Sequence, residues 1–337
     1  MADYQCGTKN ETSYGARVTV DIFHEILPGE AIQLETGRSE SQGLRARRVV
    51  PYADRFQPFH LGGSGTRQLE VLTLGFEWWL EHMLGEITDV EGDSNPSTPP
   101  EGVTAWIGTL GDLCGLSFTW QENVVMGACK NTDQALTWGG GKIVSWTLSC
   151  EVEGNLTLEV EVVFANHTTA TALATASYPL GAEVMSWATG SVSIAGEPVP
   201  VTSWTLSCNN NLKTDRHYIS GSGAAPGTAR KEPVRDGDRE ITFECELDFE
   251  DMTHWDRFAA LERGDTLAEV EVSCQGPLPI TGTTYPELRI EIPVLRFDEV
   301  SLGQLQQEMS TQTIQGVVLD NGVDEPLTIT YITETAA

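Results

Sequence analysis

Residues 142–164 read KIVSWTLSCEVEGNLTLEVEVVF, and the period of this stretch decides the fold. Val144, Trp146, Leu148, Cys150 and Val152 fall on one side, and Ser145, Thr147, Ser149, Glu151 and Glu153 on the other. Gly154-Asn155 supplies a turn. Beyond it Leu156, Leu158, Val160 and Val162 oppose Thr157, Glu159 and Glu161. Alternation with a period of two on both sides of a turn predicts a long antiparallel hairpin with one face in the core and one in water.

The same pattern returns along the chain. In Arg239 to Phe249, Ile241, Phe243, Cys245, Leu247 and Phe249 alternate with Glu240, Thr242, Glu244, Glu246 and Asp248. Val270 and Val272 alternate with Glu269 and Glu271, and Leu288, Ile290 and Ile292 with Arg289 and Glu291. Two short amphipathic helices interrupt the strands. Phe76, Trp79, Leu80, Met83 and Leu84 form a helical stripe, and Gly85 supplies a left-handed cap. Trp255, Phe258 and Ala259 form a second stripe after the acidic run Asp248–Asp251, closed by Gly264. The helices reveal a duplication. PGEAIQLETGRSESQG leads through a polar loop to GTRQLEVLTLGFEWWLEHMLG, and AGEPVPVTSWTLSCNNN leads through another to GDREITFECELDFEDMTHWDRFAALERG. The hexapeptide SWTLSC occurs at 145–150 and again at 203–208, outside that alignment. Two similar strands meeting across a domain border, or chance, account for it. The expected architecture is all-β, sandwich or barrel-forming, with one helix per unit. The expected domains are 1–175, with a loop insertion near 89–102, and 176–337. Tyr52–Arg67 and Ser220–Asp238 are expected as long loops at equivalent places.

Composition narrows the function. The chain has 337 residues and 49 acidic against 20 basic side chains, a formal charge of −29. Such an excess argues against ordinary nucleic-acid binding, which rests on cations meeting phosphates, and against anionic membranes. No apolar run is long enough to cross a bilayer, and residues 1–12 lack a signal-peptide layout, so a soluble protein made in the cytosol is expected. Seven cysteines without paired spacing read as small apolar side chains. The six histidines show no metal-ligand spacing, with His82 and His254 on the polar sides of the helices. Nucleophile elbows, phosphate loops and calcium loops are absent from the sequence, so neither catalytic residues nor a cofactor or metal site is expected.

What stands out is charge of one sign on the wet faces. Glu151, Glu153, Glu159 and Glu161 recur at alternate positions, as do Glu240, Glu244 and Glu246, and Glu269 with Glu271. Like charges on a ladder repel, so this pattern calls for a reason.

The hairpin at 142–164, VSIAGEPVPVTSWTLSCNNNL, GDREITFECELDFEDMTHWDRF and YPELRIEIPVLRFDEV together resemble the tail tube (major tail) proteins of siphophages, over most of the chain. The resemblance implies a virion protein, made in the host cytoplasm, whose hairpins join those of neighbouring copies into a barrel around a channel. Rings stack, and genomic DNA passes through at ejection without specific binding. Members with two fused tube domains form trimeric, pseudo-hexameric rings, and single-domain members form hexamers. Tape measure and tail terminator proteins are the implied partners. On this reading the nine glutamates above face the channel, and Arg45, Arg47, Arg48, Arg55, Arg230, Lys231 and Arg235 contact the adjacent ring through loops. The rival reading is a carbohydrate- or receptor-binding β-sandwich with an aromatic site from Trp106, Trp120, Trp138 and Trp187. A hydrolase with a dispersed carboxylate pair, and another virion protein of related fold, are further rivals.

Overall fold

The structure is a computed structural model that describes residues 4–43, 50, 55–93, 98–126, 132–217, 230–260, 267–302 and 310–335. Its strands in chain order are β1 (Cys6–Asn10), β2 (Ile22–His24), β3 (Gln33–Glu40), β4 (Phe56–Glu70), β5 (Gly85–Glu91), β6 (Val103–Leu110), β7 (Phe118–Met126), β8 (Thr132–Glu151), β9 (Thr157–Phe164) and β10 (Asn166–Thr168). They continue as β11 (Gly190–Ile194), β12 (Glu197–Pro198), β13 (Val201–Asn209), β14 (Leu212–Lys213), β15 (Val234–Arg235), β16 (Glu240–Asp248), β17 (Ala268–Gln275), β18 (Glu287–Leu302), β19 (Thr311–Val318) and β20 (Thr328–Glu334). Helix α1 (Glu77–Leu84) follows β4, and α2 (Thr253–Ala260) follows β16. The chain is all-β with two short helices. Its strand pairs are antiparallel throughout.

One pairing scheme occurs twice. In the first half β2 pairs β1, β1 pairs β7, β7 pairs the start of β8, and β10 covers that start from the other side. The end of β8 pairs β9, β9 pairs β4, and β4 pairs β3. In the second half β12, β11, β17, β18 and β20 repeat the first set, and β18, β19, β16 and β13 repeat the second. The hairpin β5–β6 is extra to the first half and β14–β15 to the second.

The long strands β8 and β18 each serve two sheets, and each changes sheet at a matching pair of bulges. In β8 one register shift lies between the pairs Phe118↔Gly141 and Trp120↔Trp138, and the next between Ile143↔Val162 and Ser145↔Glu161. In β18 the shifts lie between Ala268↔Leu295 and Val270↔Ile292, and between Phe297↔Gly316 and Glu299↔Gln315. An unpaired extra residue bends its strand and increases the local twist, which lets one strand turn the corner of a sandwich. Gly140 occupies the first bulge of β8 at φ 69, a left-handed conformation open to glycine. The second bulge corrects the expected strand phase. Val144 is the extra residue, so Ile143 joins Trp146, Leu148 and Cys150 in the core while Val152 is exposed.

The core lies between the two layers and contains Trp79, Trp120, Trp138 and Trp146. Cys150, Cys208, Cys245 and Cys274 are buried strand residues with free thiols, in keeping with their apolar neighbours. Helix α1 departs from the single apolar stripe expected of it. It sits against β5, β6 and β8, and Trp78 and His82 are buried along with Trp79, Leu80, Met83 and Leu84. Gly85 caps it at φ 99 as expected. His82, placed in solvent by its phase on the helix, is 3% exposed. Its Nε2 lies 2.8 Å from Asn10 Oδ1, and its ring centroid lies 4.3 Å from that of Trp78. Helix α2 is more superficial. Trp255 and Phe258 rest on the core, while Ala259 is exposed. Gly264 lies outside the described residues. The expected loop at Tyr52–Arg67 is largely strand, because β4 begins at Phe56 and pairs with β3 through Gly62 and Gly63.

Buried ionic pairs tie the layers. Arg67, 4% exposed, meets Glu122 at 2.6 Å, and Trp120 Nε1 donates to the same carboxylate at 2.7 Å. Arg67→Met is expected to strand the Glu122 charge and lower stability by about 3–5 kcal/mol, whereas pairing it with Glu122→Leu recovers much of the loss. Urea unfolding of the two variants measures both. Burial also pushes the His24 and His82 pKa values down to about 3. The folded state therefore holds these rings neutral, while the unfolded chain takes up protons below about pH 6.5. Stability is expected to be full above that pH and to fall as pH drops toward 3, by up to about 1.4 kcal/mol per unit for each ring. Unfolding midpoints of His82→Gln against the parent over pH 4–7 test this, with a shallower acid slope expected in the variant.

Candidate assembly surface

The hairpin and its neighbours make one continuous run of strands in the order β3, β4, β9, β8, β13, β16, β19, β18. Its centre is the pairing of β8 with β13, which brings the two SWTLSC segments side by side. Leu148 faces Leu206, Trp146 faces Cys208 and Cys150 faces Trp204. The hexapeptides are thus antiparallel partners related by a local twofold axis at the leucines. That symmetry extends one strand outward. Thr157, Glu159 and Glu161 of β9 take the same places beside β8 as Thr242, Glu244 and Glu246 of β16 beside β13.

Alternation turns the apolar residues of this sheet to the core and the remainder to one wet face. In the middle Ser145, Thr147, Ser149, Ser203, Thr205 and Ser207 form a hydroxyl band. Thr147 Oγ1 lies 3.1 Å from Ser207 Oγ, and Ser149 Oγ lies 3.1 Å from Thr157 Oγ1. Carboxylates flank the band. Glu159 stands between Gln68 and Thr147, and Glu161 between Thr66 and Ser145, whose hydroxyl donates to it at 2.9 Å. Glu244 stands between Thr205 and Gln315, Glu246 between Ser203 and Thr313, and Glu151 and Glu240 face Ser203 and Asn209. None of these carboxylates faces another across a ladder. Neutral hydrogen-bonding strands separate them, which removes the direct cross-strand repulsion that a one-sign face would otherwise suffer. Among the described residues of β4, β9, β8, β13, β16 and β19, the cations Arg67 and Lys142 are both buried and ion-paired, Lys142 to Glu232 at 2.6 Å.

Three glutamates expected on this face lie elsewhere. Glu269 and Glu271 belong to β17 in the other layer, where Val270, Val272 and Cys274 point into the core and the acids point away on the far side. Glu153 sits past the end of β8 with φ 65. A period of two gives the face of a strand but not the layer it joins. Among the expected loop cations, Arg45, Arg47 and Arg48 lie outside the described residues. Arg55 is exposed just before β4, and Arg235 is exposed on β15. Lys231 is exposed, with its backbone N–H bonded to Arg216. Arg230 departs from the expectation of a free loop side chain. It is 6% exposed and bonds Glu35 of its own chain at 2.8 Å, so its charge is already engaged. The aromatic site of the rival reading does not form. Trp120 and Trp138 are core residues and Trp106 packs against the core, which leaves Trp187 exposed by itself. What sequence reading missed was the hydroxyl band at the joint, although the repeated SWTLSC carried the signal.

The family model for phage tail tube proteins matches residues 5–289. The chain belongs to the phage tail tube protein family and is a structural protein of the virion tail. No curated protein matches it.

Replacing both Glu159 and Glu244 with lysine is expected to raise DNA retention above that of the parent. That retention should weaken steeply with added salt, as counterion release requires. Filter binding across a salt series reads both effects.

Proposed function

We infer that copies of this chain close side by side into a ring, that rings stack into the tail tube of a long-tailed phage, and that the hydroxyl and carboxylate face lines the channel for DNA. One observation carries the reading: a sheet built as four strands, β3-β4-β9-β8, followed by four in the same order, β13-β16-β19-β18, with an edge at each end that no described strand covers in full. Exposed edges are hazardous unless paired, and a closed barrel removes them. The apolar faces are used up in the core, so the wet face is the one left for the lumen. Across β4, β9, β8, β13, β16 and β19 phosphates meet there a wall of like charge whose described cations, Arg67 and Lys142, are buried, and screening over about 8 Å at physiological salt confines the repulsion to that wall.

The repeated pairing scheme favours two fused tube units, divided near residues 175 and 176, and three chains per ring with pseudo-sixfold symmetry. A hexamer of chains is the alternative. Stacking requires a second, head-to-tail contact. Arg230 is engaged inside the chain, so we assign this contact to the exposed Arg55, Lys231 and Arg235, with Arg45, Arg47 and Arg48 completing the set from sequence. A tape measure protein inside the tube and a tail terminator at its end are the implied partners. No catalytic step belongs to this role. Negative-stain microscopy of the purified protein is expected to show rings or tubes with a central hole, and mass photometry of the smallest ring three chains. A protein that stays a monomer at high concentration would sink the reading.

A further inference from the structure

Within the chain, the joint between the two halves is visible in full, and it serves as a template for the joint between chains. We propose that residues 299–302 of β18 in one copy pair antiparallel with residues 32–35 of the next, in the register that sets Ser301 opposite Gln33. This rests on the self-assembly reading above and adds to it the strands, their direction and their register.

The register follows from the repeated bulges. They equate Gly141 with Leu295, Ile143 with Phe297 and Ser145 with Glu299, so Thr147 corresponds to Ser301. Following the ladders outward, Glu161 corresponds to Gln315 and its partner Thr66 to Glu244. Thr242 then corresponds to Ser64 and Ile241 to Gly63, so their partners Ser207 and Cys208 correspond to Gln33 and Leu34. Inside the chain Thr147 faces Ser207 and Trp146 faces Cys208. Carried over, Ser301 faces Gln33 and Val300 faces Leu34.

Both edges have the features this requires. Residues 145–149 of β8 are covered on both sides, by β9 and β13, whereas in β18 the described pairing beyond Leu295 is with β19 alone. Among the described residues, strand β3 pairs β4 alone. Leu34 is 40% exposed, while its counterpart Cys208 is 2% exposed beneath β8, so the lone chain leaves an apolar side chain on this edge. Lys142 is buried under Glu232 from the other half, while its counterpart Arg296 is half exposed and turns back to Asp298 at 2.5 Å. The carried-over register also sets Glu299 against Glu35. That clash is offset in advance, because Arg230 already holds the Glu35 carboxylate at 2.8 Å. The cation expected to bridge rings thus has a reason to lie buried at the lateral edge.

Cross-linking in solution tests the register. In a background with Cys114→Ser and Cys129→Ser, chains carrying Ser301→Cys are mixed with chains carrying Gln33→Cys, allowed to assemble, and oxidised with diamide. Directly facing residues on antiparallel strands sit about 4.5–5.5 Å apart at Cα, within disulfide reach, while a partner two residues off lies about 7–8 Å away. A covalent dimer is expected from the mixture and from neither variant alone. Thr147→Cys with Ser207→Cys in one chain, the internal counterpart, is expected to close without forming a dimer. Rings that give no dimer, or that give it with Glu35→Cys in place of Gln33→Cys, overturn the register and leave self-assembly standing. If neither the parent nor the variants assemble, the self-assembly reading falls and takes this joint with it.

Discussion

The structure depends on the backbone hydrogen bonds between β8 and β13. A strand edge carries donors and acceptors that must be paired or left to water, and this ladder pairs the inner edges of two similar halves. Once it forms, eight strands share one surface, the core beneath them is continuous, and the apolar side chains of both SWTLSC segments are covered. The β5–β6 hairpin, extra to the first half, reinforces the joint from the other layer by pairing with β20 of the second.

The same ladder accounts for the arrangement of charge. Acidic residues concentrated on one sheet face would repel if neighbouring strands placed them opposite one another. Here β9 and β16 carry the carboxylates, and β8 and β13 place hydroxyls between them. The result is an acidic surface whose nearest cross-strand contacts are neutral, with the β4 and β8 cations Arg67 and Lys142 turned inward against Glu122 and Glu232. Such a surface suits a wall past which a polyanion moves without being held. Unlike an active site, such a surface needs no single precisely placed group, so it leaves no short motif in the sequence.

Much of this was legible beforehand. The hairpin at 142–164, the strand at 240–248 and both helices follow from periodicity, and the strands occur where it places them. The departures share a cause. The helical period places His82 in solvent because one helix has one polar side, but α1 is covered on both sides and His82 is buried. Glu269 and Glu271 alternate in the same way as Glu159, and alternation carries no information about layers. Arg230 looks like a free loop cation in the sequence because its partner Glu35 is remote along the chain.

By itself the sequence determined the all-β class, the wet and dry sides of each strand, the helix positions and the acidic character, because these arise from local steric and hydrophobic periods. Only the tertiary structure decided which strands became neighbours, that the repeated hexapeptide pairs with its own copy, and which acids share a surface. Those outcomes depend on ladders between residues far apart in the chain, and no local period encodes which edge a strand will meet.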